Sequence, residues 1–192
     1  MPRNNRPVEV TPMAGAGGGK NAMNIGDFAA DTLGRMATRL ISDLEGLTVD
    51  ELCYRPDPEA NTIAWLAWHV TRVQDHHMAH MEGRVQLWVD EGWDVKLGMP
   101  SDLDDHGYGH TSEQVGAFVP PDGATLAAYQ RAVSERTIKY LSGLPDDELG
   151  RVIDRSWDPP VTVGVRLASV VNETAQHIGQ VSYVRGLVER TR

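Results

Sequence analysis

The fold is decided by the stretch NTIAWLAWHVTRVQDHHMAHMEG, residues 61–83. Asn61 or Thr62 can cap a helix at its start, and glycine at position 83 is a common residue just past a helix end. Between them, apolar residues recur at spacings of three and four, the period of one helix face: Ile63, Leu66, Val70 and Val73. The stretch therefore predicts a long amphipathic helix to about Gly83, with Trp88 as the end of an optional continuation.

Three further stretches predict long helices. The first runs from Ile25 to Leu44, the next begins at Asp122 or Thr125 and reaches Leu141, and the last runs from about Val165 to Glu189. Antiparallel helices of this length bury their apolar stripes against one another. The sequence thus predicts an all-α protein, a four-helix bundle.

The segments between these helices differ in composition. Residues 92–123 are rich in Gly, Asp and Pro, which predicts a long irregular excursion between helices two and three with at most one short helix, near Ser112 to Phe118. A short helix is expected at residues 145–149 and an extended or looped chain at residues 151–163, with no sheet of any size. Residues 1–22 combine proline and glycine with few large apolar side chains, which predicts a flexible leader before a bundle domain of residues 23–192.

Composition narrows the class of protein. The 192 residues are 41% hydrophobic, enough for one core, and 18 Lys and Arg against 27 Asp and Glu give a net charge of −9. That charge disfavours nucleic-acid binding. The single cysteine, Cys53, forms no intramolecular disulfide, and neither a membrane-spanning run nor a secretory signal is found. We expect a cytoplasmic protein without a membrane partner.

Charged and polar residues interrupt the apolar stripe of the last helix. Glu173 and His177 share a face with Val170, Val181 and Val184, since each residue turns the helix by about 100°. An ionised carboxylate in such a stripe is costly unless it is paired, hydrogen-bonded or bound to a metal. His69, flanked by apolar residues in the second long helix, is the best third ligand. Two imidazoles and a carboxylate suit zinc with one open position, or nickel or iron.

Other interpretations stay open at this point. Glu173 and His177 can form an ordinary hydrogen-bonded pair, and His69 can be a satisfied core histidine. A rival set is formed by His76, His77 and His80. His76 and His80 have the i, i+4 spacing of metal ligands, whereas His77 is expected to be solvated. His76 lies about 10 Å of helix rise from His69, so these histidines and His69 cannot all share one ion. The segment with His106 and His110 either closes over a pocket or is a solvated turn. Cys53 lacks a nucleophile context, and the five tryptophans are expected to serve core packing first.

The sequence resembles a known family in two motifs. NTIAWLAWH (residues 61–69) and ETAQHIGQ (residues 173–180) are similar to the DinB-like superfamily of metal-binding four-helix bundles, and the resemblance covers most of residues 25–192. In that superfamily one histidine of the second helix and two residues of the last bind a divalent metal, most often three histidines. Glutamate at 173 departs from that pattern and matches mycothiol-dependent maleylpyruvate isomerase. WDPPVTVGVRL (157–167), GYGH (107–110) and YVRGL (183–187) resemble DinB-domain proteins that include mycothiol S-transferases.

This resemblance implies an activity. His69, Glu173 and His177 would hold the metal, and the open position would bind the thiol of mycothiol for attack on an electrophilic small molecule, as in detoxification. Gln180 is expected to hydrogen-bond a ligand or the substrate. Two alternatives are a metal-dependent hydrolase and a non-enzymatic bundle in which Glu and His merely pair. A homodimer is left open, because helical bundles with exposed apolar flanks often associate.

Overall fold

A computed structural model describes residues 23–192 of the chain. The predicted leader, residues 1–22, lies outside the described residues. The elements follow in this order: α1 (Ile25–Leu44), α2 (Val49–Leu52), α3 (Ile63–Glu82), α4 (Leu87–Asp90), α5 (Trp93–Leu97), α6 (Ser112–Ala117), α7 (Gly123–Leu141), a 3₁₀ turn (Asp146–Gly150), β1 (Val152–Asp154), β2 (Val161–Thr162) and α8 (Val163–Glu189).

The four long helices α1, α3, α7 and α8 form the predicted bundle. Helix α1 packs against α7 and α8, and α3 packs against the same two helices, so each long helix has two neighbours around a common core. The all-α prediction is confirmed. No helix in residues 23–192 has the length and apolarity needed to cross a membrane.

Side-chain caps set where the long helices begin. Asn24, Thr62, Asp122 and Thr162 each accept a hydrogen bond from the backbone N–H three residues later, which satisfies a donor that the first helical turn leaves free. Helix α1 has the predicted bounds, α7 begins directly after Asp122, and α8 begins two residues earlier than expected.

The optional continuation of α3 through Trp88 is wrong. Gly83 adopts a left-handed conformation with φ of 66° and ends the helix, as glycine does at many helix ends. The chain then turns back, because the buried carboxylate of Asp75 accepts the backbone N–H groups of Leu87 and Trp88 at 3.0 and 2.8 Å. Helix α4 is therefore a separate short element.

The excursion holds more structure than predicted. Helix α6 is confirmed, but the single turn α5 was not expected; it lies between two left-handed glycines, Gly92 and Gly98, and buries Trp93. Helix α2 was also not predicted, although Thr48 and Glu51 form a capping box there. The extended chain predicted for residues 151–163 is confirmed, and its only regular pairing is the short antiparallel contact of β1 with β2.

Helix α3 lies at the centre of the molecule rather than at its surface. Residues 62–75 are buried without interruption, so the first half of α3 is enclosed on all sides and is not amphipathic as predicted. The side facing away from the bundle is covered by the excursion, where Phe118 packs on Trp68. Four of the five tryptophans are buried as expected, but Trp157 is exposed.

Candidate metal centre

Three side chains from α3 and α8 converge on one point. The three candidate ligand atoms lie within 4.8 Å of one another, and each comes from one of the residues His69, Glu173 and His177. The Nε2 atom of His69 is 3.2 Å from Oε1 of Glu173, and Nε2 of His177 is 3.8 Å from the same oxygen. The two imidazole rings stand nearly perpendicular, with centroids 4.9 Å apart. Among the described residues this is the only such group of His, Cys, Asp and Glu.

The cluster lies at the edge of the core. His69 is buried on α3, whereas the Glu173 side chain is 33% exposed and that of His177 is 20% exposed. On α8 the neighbouring turns bury Val170 and Val181 completely, which fixes the rotation of this helix. The site therefore has an apolar floor and one side open to solvent, the arrangement that a reactive metal site requires.

Hydrogen bonds orient both imidazoles toward the carboxylate. Nδ1 of His69 donates to the backbone carbonyl of His106, and Nδ1 of His177 donates to Oε1 of Gln180 at 3.0 Å. An oxygen acceptor at Nδ1 fixes the proton there and leaves the lone pair on Nε2. Gln180 is thus placed as a group that holds a candidate ligand, one of its two expected roles.

This arrangement fits a divalent cation. With protons on both Nδ1 atoms, the Nε2 lone pairs and the Glu173 carboxylate all face one another as acceptors, an arrangement that repels unless a positive charge lies between them. A proton on His69 would satisfy one contact, whereas a metal ion would satisfy all three. Two imidazole nitrogens and one carboxylate oxygen are donors that zinc accepts.

The pKa values favour the protonation states that bind metal. When no metal is bound, a proton on Nε2 of His69 would be donated to Glu173, and this hydrogen bond lowers the pKa of Glu173; burial lowers the pKa of His177. Near neutral pH the carboxylate is therefore ionised and the His177 imidazole is neutral. Metal binding requires both forms.

The excursion forms one wall of the site. The indole of Trp65 stacks on the His69 ring at 4.6 Å between centroids, and Gly107 lies against both rings. A Cβ atom on Gly107 would come within 2.9 Å of Nδ1 of His69 and of carbons of Trp65 and Trp68. Only glycine permits this approach. The segment with His106 and His110 therefore packs over His69, and the solvated-turn alternative is wrong.

Substituting Gly107 tests this close packing. Gly107→Ala is expected to lower the free energy of unfolding by about 3 kcal/mol, since a left-handed backbone costs an alanine about 1 kcal/mol and overpacking adds about 2. Gly109→Ala is the matched control, because Gly109 also has a positive φ but no atom lies within 4 Å of its Cβ position. That variant should lose about 1 kcal/mol in urea unfolding. Equal losses in the two variants would contradict the packing described.

A buried arginine anchors the same wall. Arg72 is fully buried, and its guanidinium donates to the backbone carbonyls of Asp102, Leu103 and Asp105 at 3.0–3.3 Å. It also donates to the side chain of Gln86 at 2.6 Å. One side chain of α3 thus fixes the chain just before His106, whose carbonyl orients His69.

The remaining histidines do not join the cluster. His76 is held by the carbonyl of Leu103 at 3.2 Å, and His80 is exposed, so the rival set is not brought together. The expectation that His77 is solvated is wrong. It packs against Arg166, and burial lowers the pKa of His77 from 6.5 to about 3.

This shift predicts how acid affects stability. The pKa of His77 is 6.5 in the unfolded chain and about 3 when folded, so the unfolded state binds more protons between these values and stability falls as the pH drops below 6.5. His77→Asn should show a smaller fall in the urea midpoint than wild type between about pH 7 and pH 4. His80→Asn is the control and should follow wild type. A His77→Asn profile parallel to wild type would exclude this source of acid sensitivity.

Cys53 has the character expected of a structural residue. It lies partly buried near the carbonyl of Phe118, and burial raises the pKa of its thiol. A raised pKa lowers the thiolate fraction, the reverse of what activates a catalytic cysteine.

Comparison with known proteins identifies the family. The sequence profile of the DinB superfamily matches residues 32–181. The chain belongs to the DinB superfamily. DinB-like proteins often bind a divalent metal, and in this DinB protein the matched region contains all three candidate ligands. No curated protein matches the chain.

A solved structure supports the same fold. The crystal structure of a conserved protein from Enterococcus faecalis is similar with a TM-score of 0.80 and 32% sequence identity. The match covers 87% of this chain and 98% of the other. The resemblance seen in the sequence is thus confirmed for the superfamily.

Several residues that shape the site have no clear signature in the sequence. Arg72, Gly107 and the carbonyl of His106 position His69, yet the sequence points to Gly107 alone, through the GYGH motif of residues 107–110. Gly107 carried a weak signal, since two glycines around a tyrosine are typical of a tight loop. The carbonyl of His106 carried none, because every residue has one.

Proposed function

We propose that this DinB protein is a divalent-metal-dependent thiol S-transferase in which mycothiol attacks an electrophilic small molecule. The proposal rests on the cluster of His69, Glu173 and His177. Their ligand atoms face one another, and the cluster is open to solvent on one side. Zinc is the proposed metal. The choice of mycothiol rests on the resemblance of this set and of residues 157–167 to mycothiol-dependent members of the superfamily.

The charge of the site suits a thiolate. When bound, the metal would supply an open coordination position and lower the pKa of a thiol. Two neutral imidazoles and one carboxylate contribute a single negative charge, so a divalent ion keeps one positive charge to offset a thiolate. A thiolate is also a ligand that zinc prefers.

The chain's own residues orient the reaction. The His106 carbonyl and Gln180 hold the two imidazoles, and Trp65 and Gly107 keep water from the buried face of His69. In the reaction a carbon–sulfur bond forms, the leaving group departs with its electron pair, and the thiol proton passes to solvent. Gln180 is exposed, and we include its amide N–H groups as a candidate contact for the substrate.

A fluorescence assay tests the activity. Zinc-loaded protein is mixed with mycothiol and monochlorobimane, from which the thiolate displaces chloride. We expect wild type to exceed the uncatalysed rate by about 100-fold or more, the lower end of what a positioned catalytic group contributes, and His177→Ala to fall to the uncatalysed rate. Equal rates for wild type, His177→Ala and the protein-free control would overturn the proposal. Ester hydrolysis without any thiol, lost in His177→Ala, would favour the hydrolase instead.

A further inference from the structure

A second polar cluster lies in the groove between α3 and α8. Arg166 precedes Glu173 by seven residues on α8, which places it on the same helix face about 10 Å away along the axis. His77 follows His69 by eight residues on α3 and contacts Arg166. The cluster of His77 and Arg166 and the candidate metal ligands therefore lie at two positions along one groove.

The guanidinium of Arg166 is poorly paired for its burial. The side chain is only 19% exposed, yet its contact with Asp154 is 3.5 Å from Nη2 to Oδ2. Nη1 lies 3.5 and 3.4 Å from the two ring nitrogens of His77, and such nearly equal distances show that it is not directed at either lone pair. Nε is buried without a partner among residues 23–192. A guanidinium has five N–H donors, and here none has a short bond to an oxygen.

Asp154 is held by its own loop rather than by Arg166. Its Oδ1 atom accepts hydrogen bonds from the backbone N–H and the hydroxyl of Ser156 at 2.9 and 2.6 Å. These bonds are the largest cause of the lowered pKa of Asp154. The carboxylate is thus fixed at a distance and leaves the guanidinium free to form a shorter ion pair.

His106 adds an unused polar atom beside this cluster. Its ring lies 6.3 Å from that of His77 between centroids, and its Nδ1 is buried without a partner among the described residues. Buried polar groups in native proteins nearly always have partners, and an exception points to an ion, a water or a ligand. Arg166 and His106, in the same groove, each have a buried nitrogen without a hydrogen-bond partner among the described residues.

We propose that Arg166, with His77 and His106 beside it, binds a carboxylate group of the small-molecule substrate. The substrate class is then a carboxylic acid that carries its electrophilic carbon several bonds away from the carboxylate, within the roughly 10 Å that separate the two positions. This assignment rests on the proposed function for the reaction, but the carboxylate site itself is testable without it.

The binding test uses two ligands of nearly the same shape, one an anionic carboxylate and the other a neutral amide. 3,5-Dinitrobenzoate and 3,5-dinitrobenzamide have no leaving group, so they report binding without reaction. Their dissociation constants are measured by NMR titration with zinc-loaded protein and again with metal-free protein. We expect the carboxylate to bind about tenfold more tightly than the amide in both forms, because a charge-assisted bond to arginine is lost in the amide.

Variants assign this preference to one side chain. Arg166→Gln should bring the two dissociation constants to within about twofold, whereas Arg166→Lys, which keeps the charge, should retain part of the preference. Arg155→Gln is the matched control, since Arg155 is exposed directly after β1, next to Asp154, and the change in net charge is identical. It should leave the tenfold preference intact.

Two results would overturn the proposal. One is a carboxylate preference that persists in Arg166→Gln but disappears when zinc is removed, since the carboxylate would then be binding the metal. The other is the absence of any preference in wild type. Both can occur whether or not the protein transfers thiols. A separate assay with mycothiol and 4-chloro-3,5-dinitrobenzoate, in which sulfur replaces chloride, tests the reaction and should show a KM that rises about tenfold in Arg166→Gln.

Discussion

Replacing His69 by alanine is expected to weaken zinc binding by at least about 100-fold, the upper end of what is lost when a group that only orients a ligand is removed. His69 supplies one of three donors, and its Nε2 faces Glu173 at 3.2 Å while its Nδ1 is held by the His106 carbonyl. The His106 carbonyl holds this imidazole in its binding orientation before the metal binds. The substitution therefore removes a ligand that does not have to rearrange to reach the metal. Glu173→Gln should have a similar effect, since a neutral amide replaces the only negative ligand.

Competition with a chromophoric chelator measures these affinities. His80→Ala is the matched control, because His80 is an exposed histidine of the same helix and should leave the zinc dissociation constant unchanged. Circular dichroism establishes that each variant is folded. A folded His69→Ala protein that binds zinc as tightly as wild type would show that the three residues do not form the metal site.

Arg72→Met is expected to lower the free energy of unfolding more than the loss of any exposed arginine. The guanidinium is fully buried, lies 3.9 Å from the carboxylate of Asp75 and covers the Trp88 ring at 4.7 Å. Its removal leaves the carbonyls of the 102–105 segment without their donor and Asp75 without its cation. Breaking one partner of a buried ion pair costs about 3–5 kcal/mol.

Urea unfolding measures this loss against two comparisons. Arg72→Lys keeps the charge but cannot reach several carbonyls at once, so it should recover only part of the stability. Arg84→Met changes an exposed arginine just beyond the end of the same helix and should stay within about 0.5 kcal/mol of wild type. A loss for Arg72→Met no greater than that of Arg84→Met would contradict the anchoring role of Arg72.

The same substitution has a second expected effect at the metal centre. Without Arg72 the chain before His106 is no longer fixed, so the carbonyl that orients His69 is held less firmly. Loss of a group that orients a metal ligand costs about 10-fold or more in affinity. Stability and zinc affinity should therefore fall together in Arg72→Met, whereas His69→Ala chiefly removes the affinity.

Periodicity predicts the bundle and makes the three side chains candidates, and the resemblance to the DinB-like superfamily favours a metal site over ordinary pairing. Apolar residues recur every three or four positions in each long helix, and this rule places Glu173 and His177 beside the apolar stripe of α8, where they meet His69 of α3. His69 followed from its apolar neighbours. Each inference used residues close in sequence, where helix geometry fixes the side-chain direction.

The excursion was harder to predict, for a physical reason. Its structure depends on contacts between distant residues, such as Arg72 with the Asp105 carbonyl and Gly107 with Trp65. Every residue has a backbone carbonyl, so residue identity does not show which carbonyl accepts a hydrogen bond from a distant side chain. For the same reason the solvation of His77 was predicted wrongly, since nothing near it in the chain indicates Arg166.

Anomalous diffraction tests the central claim most directly. Crystals grown with zinc and measured above the zinc absorption edge should show one strong peak per chain, about 2.0–2.2 Å from Nε2 of His69, Nε2 of His177 and a carboxylate oxygen of Glu173. A peak on His76 or His80 instead, or no peak at these three residues in zinc-saturated crystals, would contradict the account.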